Sequence, residues 1–129
     1  MQTQDVMHRT VVTIRPHMSV AAAAALLVAH GVTSAPVVTA EGVLRGMVSE
    51  VDLLRAESQR AITAAEVMTP KPVTVRPADD LAAVEAVLLD YGVRAVPVVD
   101  RGRLVGIVSR HDVPGCVERS GAPMAATVK

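Results

Sequence analysis

The sequence has no tryptophan and no phenylalanine, and Tyr91 is its one aromatic residue. That poverty excludes a single-strand binder that stacks bases on aromatic platforms. Charge of one sign does not accumulate either. Thirteen basic and thirteen acidic residues leave a formal net charge of zero, without the electrostatic footprint of a duplex binder. A single cysteine, Cys116, rules out an internal disulfide and suits a reducing compartment. The longest apolar run, Val20 to Ala29, is far shorter than the roughly 20 residues that span a bilayer. The N-terminus Met1-Gln2-Thr3-Gln4-Asp5 is polar, which predicts no signal peptide. These absences lead us to expect a soluble, cytoplasmic chain with neither nucleic acid nor membrane as partner.

Catalytic signatures are missing as well. There is no Gly-x-Ser-x-Gly, His-Glu-x-x-His, phosphate loop or Cys-x-x-Cys. His111 and Asp112, adjacent in sequence, would point to different faces of a helix and make no catalytic pair. His8, His17, His30, His111 and Cys116 are dispersed, without the close spacing typical of zinc. We therefore expect no enzyme and no metal site.

What is present is a repeat. Half of the 129 residues are apolar, mostly Val, Ala, Leu and Met, enough to bury one compact core or two small ones. Val6-Met7 recurs as Val67-Met68, and Val12-Thr13-Ile14-Arg15-Pro16 as Val73-Thr74-Val75-Arg76-Pro77, each 61 residues on. Gly31-Val32 and Pro36-Val37-Val38 recur as Gly92-Val93 and Pro97-Val98-Val99. One extra residue in the turn Thr39-Ala40-Glu41-Gly42 then shortens the offset to 60. Gly46-Met47-Val48-Ser49-Glu50-Val51-Asp52 accordingly matches Gly106-Ile107-Val108-Ser109-Arg110-His111-Asp112.

Each copy reads as strand, helix, strand, strand, helix, an α/β (α+β) unit with helices over a sheet. In the first copy, Val11 to Ile14 is a strand and Ser19 caps a helix that runs through His30 to a left-handed Gly31. Ala35–Thr39 and Leu44–Val48 form a hairpin, and Ser49 opens a helix to about Ala56. In the second copy the pieces are Val73–Val75, Asp80–Tyr91, Val96–Val99, Leu104–Val108 and a helix from Ser109 to about Glu118. Thr63-Ala64-Ala65-Glu66 looks like a capping box. The expected boundaries are residues 1–60 and 61–118, followed by a disordered tail, 119–129. The alanine-rich helix Val20–Ala29 lacks a charged face. Either alanines form a tolerable exposed surface, or this helix packs on a second chain.

The ordered series Val-Met-Thr-Pro, Val-Thr-Val-Arg-Pro, Gly-Val-x-x-x-Pro-Val-Val and Gly-x-Val-Ser-x-x-Asp resembles the CBS domain, named after cystathionine β-synthase. Two in tandem resemble a Bateman module, and the likeness covers about Met1 to Pro114. It implies two repeats packed about a pseudo-twofold axis, with clefts that commonly take AMP, ADP, ATP, S-adenosylmethionine or related adenosine-containing ligands. It further implies frequent pairing into a homodimer. Such modules usually regulate an enzyme or transporter; no effector domain is recognised in these residues, which leaves an unidentified effector protein as the reader of any signal.

The resemblance points to Asp52 and Asp112 as ribose ligands. A carboxylate can accept both protons of a vicinal diol, each charge-assisted bond contributing roughly 1.5–3 kcal/mol. The alternative is that each acid only completes a capping box with Ser49 or Ser109; both roles can coexist. The helix starts at Ser49 and Ser109 suit a phosphate. Thr33-Ser34-Ala35 and Arg94-Ala95-Val96 would wall the adenine, and the residue after Val-Met, His8 or Thr69, is a further contact that the family uses. Arg94 and Arg110 set the copies apart, because Thr33 and Glu50 stand at the matching places. We thus expect a phosphorylated ligand in the cleft of Asp112, Arg94 and Arg110, unless the arginines cross the twofold or only solvate the surface. A ligand-free dimerisation and protein-interaction module with degenerate clefts is the competing reading.

Overall fold

The computed structural model describes residues 1–59 and 63–115. Cys116, the expected helix end at Glu118 and the expected tail 119–129 lie outside the described residues. The elements are α1 (Thr3–Val6), α2 (Val20–His30), β1 (Ser34–Val38), β2 (Leu44–Ser49), α3 (Glu50–Gln59), α4 (Ala64–Val67), β3 (Thr69–Pro70), α5 (Leu81–Asp90), β4 (Ala95–Asp100) and β5 (Arg103–Ser109). A 3₁₀ turn, Arg110–Asp112, follows β5.

Local chemistry sets the helix ends. Ser19 Oγ accepts the Ala22 N–H at 3.0 Å, and Gly31 closes α2 in the left-handed region at φ 64°. Thr63 and Glu66 form the expected capping box. The first strand of each copy, however, shrinks to one parallel bridge, Ile14 to Val37 and Val75 to Val98. The Ile14 N–H donates to Pro36 O and the Val38 N–H to Ile14 O, but neither ladder can go further. The next bonds would need N–H groups of Pro36 and Pro16, and in the second copy of Pro97 and Pro77, which proline lacks. The closing helices differ too. In the first copy α3 continues beyond Ala56 to Gln59. In the second a 3₁₀ turn forms, Val113 turns extended at φ −119°, ψ 101°, and helical geometry resumes at Pro114 and Gly115, the last described residues. Pro114 disfavours helical geometry in the residue before it.

Each hairpin anchors its own core. Ile14, Ala23, Leu27, Val37, Val48 and Leu53 pack in the first; Val75, Val84, Leu88, Val96, Val98 and Val108 pack in the second. Fully burying each such Val, Leu or Ile contributes about 1.5–3 kcal/mol. The hairpin turns meet across the pseudo-twofold, where the Leu104 N–H donates to Gly42 O at 2.9 Å and Val43 bridges Arg103.

The packing units are not the sequence repeats. The leading segment of each copy lies on the other copy's hairpin. Thr3 and Gln4 donate backbone bonds to Asp79 O and Pro77 O, and the His8 and Ile107 backbones exchange bonds at 2.9 and 3.0 Å. By the same symmetry Ala64 and Ala65 donate to Met18 O and Pro16 O, and β3 pairs with β2 through Met47–Thr69 and Gly46–Pro70. Gly46 and Gly106 permit this exchange. A Cβ on Gly46 would lie 2.7 Å from Thr69 O, and one on Gly106 2.9 Å from His8 O. Residues 1–60 and 61–118 remain the repeats of the sequence, but each core is completed by the first few residues of the other.

Candidate functional site

A cleft of about 530 Å³ opens between the repeats, within the roughly 300–1,000 Å³ usual for small-molecule sites. From the first repeat Thr33, Ser34, Ser49, Glu50 and Asp52 line it; from the second come Thr69, Lys71, Tyr91, Arg94 and Ala95. The strand-to-helix junction β2–α3 delivers Ser49 and Asp52, and the exchanged segment delivers Thr69 and Lys71.

At its centre is the box around Ser49. Asp52 Oδ2 accepts the Ser49 N–H at 2.8 Å and the Ser49 hydroxyl at 3.0 Å, while the Asp52 N–H donates to Ser49 Oγ at 3.2 Å. One carboxylate oxygen therefore caps α3. The other, Oδ1, has no hydrogen-bond partner among the described residues and is available to a diol.

The second box has the same bonds and a different outcome. Asp112 Oδ2 accepts the Ser109 N–H at 2.8 Å and its hydroxyl at 3.1 Å. Asp112 Oδ1, however, lies 2.8 Å from His8 Nε2. The Asp112 side chain is 15% exposed and that of His8 62%. The exchanged leading segments thus put Thr69 on the side of Asp52 and His8 on the side of Asp112, each opposite to the copy in which the sequence carries it.

Several expected site residues move. Arg94 lines the cleft of Asp52, while its carbonyl accepts the Arg110 N–H at 3.0 Å beside the Asp112 turn. Arg110 is anchored, with Nε donating to Val93 O at 2.8 Å and Nη2 to Leu88 O at 3.3 Å. The guanidinium is held by carbonyls at the C-terminal end of α5, where the helix dipole favours a cation. The expected grouping of both arginines with Asp112 is thus replaced by one arginine that lines the Asp52 cleft and one tied to the end of α5. Ala35 and Val96 do not wall the cleft. Each is about 1% exposed and turned into a core, because strand side chains alternate between faces.

Lys71 and Tyr91 were not anticipated. Lys71 sits in the left-handed region at φ 50°, in the turn between Pro70 and Pro72. Two prolines bracketing a lysine just after Val-Met-Thr were the signal available for it. Tyr91, the lone aromatic, stands at the C-terminal end of α5 and is 62% exposed. Among the described residues no three His, Cys, Asp or Glu side chains gather where a metal ion would be held. No helix among them is long and apolar enough to cross a membrane.

The family model of the CBS domain matches twice, over residues 4–59 and 64–114. The chain belongs to the CBS-domain family. Its tandem CBS pair is 33% identical over 114 residues to the CBS domain-containing protein YhcV of Bacillus subtilis, covering 85% of this chain and 81% of that one. The fold is similar to that of CBSX2 from Arabidopsis thaliana in complex with AMP, with TM-score 0.83, 31% identity, and 94% and 98% of the two chains covered. It is similar as well to the CBS domain pair of protein MJ0100 bound to 5′-methylthioadenosine and S-adenosyl-L-methionine, with TM-score 0.81, 27% identity, and 93% and 98% covered. The chain spans only 22% and 24% of two longer curated relatives, an L-aspartate semialdehyde sulfurtransferase from Methanocaldococcus jannaschii and a homoserine O-acetyltransferase from Methanohalophilus mahii. What those enzymes share with it is a CBS-sized part.

Proposed function

We propose that this CBS pair is a non-catalytic regulatory module that binds an adenosine nucleotide in the cleft of Asp52, with AMP the first candidate. The observation that carries the reading is the unpartnered Asp52 Oδ1 in a cleft that also holds Lys71, Arg94 and Tyr91. Asp52 takes the ribose diol, Lys71 and Arg94 take phosphate, and the Tyr91 ring covers the base. Glu50 offsets one of the two cations, which favours a single phosphate over a triphosphate. The AMP complex of CBSX2 supports this ligand class.

The signal is a shift of population. The cleft draws Ser49 and Asp52 from one repeat and Tyr91 and Arg94 from the other. A ligand there prefers one relative placement of the repeats, and it transmits only as much as its affinities for the two placements differ. A thermal-shift panel of AMP, ADP, ATP, S-adenosylmethionine and NAD tests the reading. AMP at a hundred times its dissociation constant adds about 2.7 kcal/mol, a rise of several degrees at roughly 2–8 °C per kcal/mol. A flat panel overturns it.

A second reading, a ligand-free dimerisation module, draws on a groove of about 780 Å³ between α2 and α3. Val28 and Leu54 on its rim are 81% and 70% exposed, a cluster of apolar surface that marks interaction sites. We assign this face to a second copy of the chain, as expected for the alanine-rich helix. Sedimentation should show a dimer that Leu54→Glu converts to monomer, and AMP dependence of that dimer separates the sensor from the ligand-free module.

A further inference from the structure

The repeat offers a direct comparison of what stands over each carboxylate. Thr69 pairs with Met47 on the Asp52 side, and His8 bridges Ile107 at the equivalent register on the Asp112 side. Thr69 forms no bond to Asp52 among the described residues, whereas His8 Nε2 holds Asp112 Oδ1 at 2.8 Å. Backbone bonds in both directions between His8 and Ile107 fix the strand that carries the imidazole, so this contact is built in.

We propose that His8 is a gate on a second nucleoside site: its imidazole occupies the carboxylate oxygen of Asp112 that a ribose diol would use. The inference rests on the nucleotide reading of the Asp52 cleft and extends it to its pseudo-symmetric partner. The ligand class there is again a vicinal diol carried on a nucleoside. Thr10 holds the repeat position that Lys71 has on the Asp52 side, so the gated site lacks that lysine's contact to a phosphate. A ligand enters only when the imidazole rotates off Asp112, and the lost contact keeps this site weaker than the first by about two- to fivefold. Occupancy is consequently sequential, the Asp52 cleft filling first and the gated site only at higher concentration.

Calorimetric titration of the full chain with AMP, wild type against His8→Thr, tests the gate. The wild type should take one equivalent in its high-affinity step. His8→Thr should gain a second equivalent, retained in His8→Thr/Asp52→Asn and abolished in His8→Thr/Asp112→Asn. A folded His8→Thr protein that still binds one equivalent overturns the gate and leaves the nucleotide reading intact. Two equal equivalents in the wild type do the same. No binding of AMP to any variant overturns both. A readout without ligand is the ring-nitrogen NMR signal of His8: it should move on Asp112→Asn while those of His17 and His30 stay, and an unmoved His8 signal overturns the contact on which the gate depends.

Discussion

At Asp52 one carboxylate oxygen caps a ten-residue helix and the other is left to the cleft; at Asp112 one oxygen caps a single 3₁₀ turn and the other binds His8. The two Ser-x-x-Asp motifs share the carboxylate's bonds to the serine N–H and hydroxyl. They differ in what the opposite repeat delivers to them. Lys71 and Arg94 face Glu50 and Asp52 on the first side, while His8 occupies the second and Arg110 turns to the end of α5. A local motif therefore sets the geometry of a carboxylate, and tertiary exchange sets its availability.

The largest effect that would break this comparison is loss of the exchange itself. Gly46→Ala should dislodge β3 from the Asp52 side, and Gly106→Ala should dislodge His8 from the Asp112 side, since either Cβ meets a backbone carbonyl within 2.9 Å. Overpacking of this kind costs about 1–3 kcal/mol, and we expect melting to fall by roughly 5–15 °C in a scanning calorimeter. Next comes Asp52→Asn. It retains a polar cap at α3 but loses the charged acceptor, and AMP affinity by calorimetry should drop more than about tenfold, or 1.4 kcal/mol. The smallest is Lys71→Gly. Glycine adopts the φ of 50° without a Cβ penalty, so stability should hold within about 1 kcal/mol while AMP affinity falls about three- to tenfold and adenosine affinity stays the same. Equal losses for AMP and adenosine would assign Lys71 to the ribose or base instead of the phosphate.

Much of this was legible beforehand, for physical reasons that can be named. Ser19 and Gly31 bound α2 as expected because capping and left-handed geometry are local. Both Ser-x-x-Asp boxes formed because their bonds span three residues. The first strands are shorter than their composition suggests: Val11–Ile14 is β-branched, but Pro16 and Pro36 remove the donors on either side of the one bridge that forms. Their place in the second repeat groups Arg94 and Arg110 with Asp112 in the sequence. In space Arg94, just before β4, lines the Asp52 cleft, and Arg110, in the turn after β5, is tied to carbonyls at and just beyond the end of α5.

The sequence by itself determined the tandem repeat, the CBS family, the helix caps and the two Ser-x-x-Asp boxes, because each depends on residues close together in the chain. Only the tertiary structure decided that the leading segments change places, that His8 meets Asp112 across 104 positions, and that Lys71, Tyr91 and Arg94 share a cleft with Asp52. Those facts depend on how two nearly identical halves dock. Pairwise docking of like surfaces is set by long-range packing and backbone pairing, which no window of local periodicity contains.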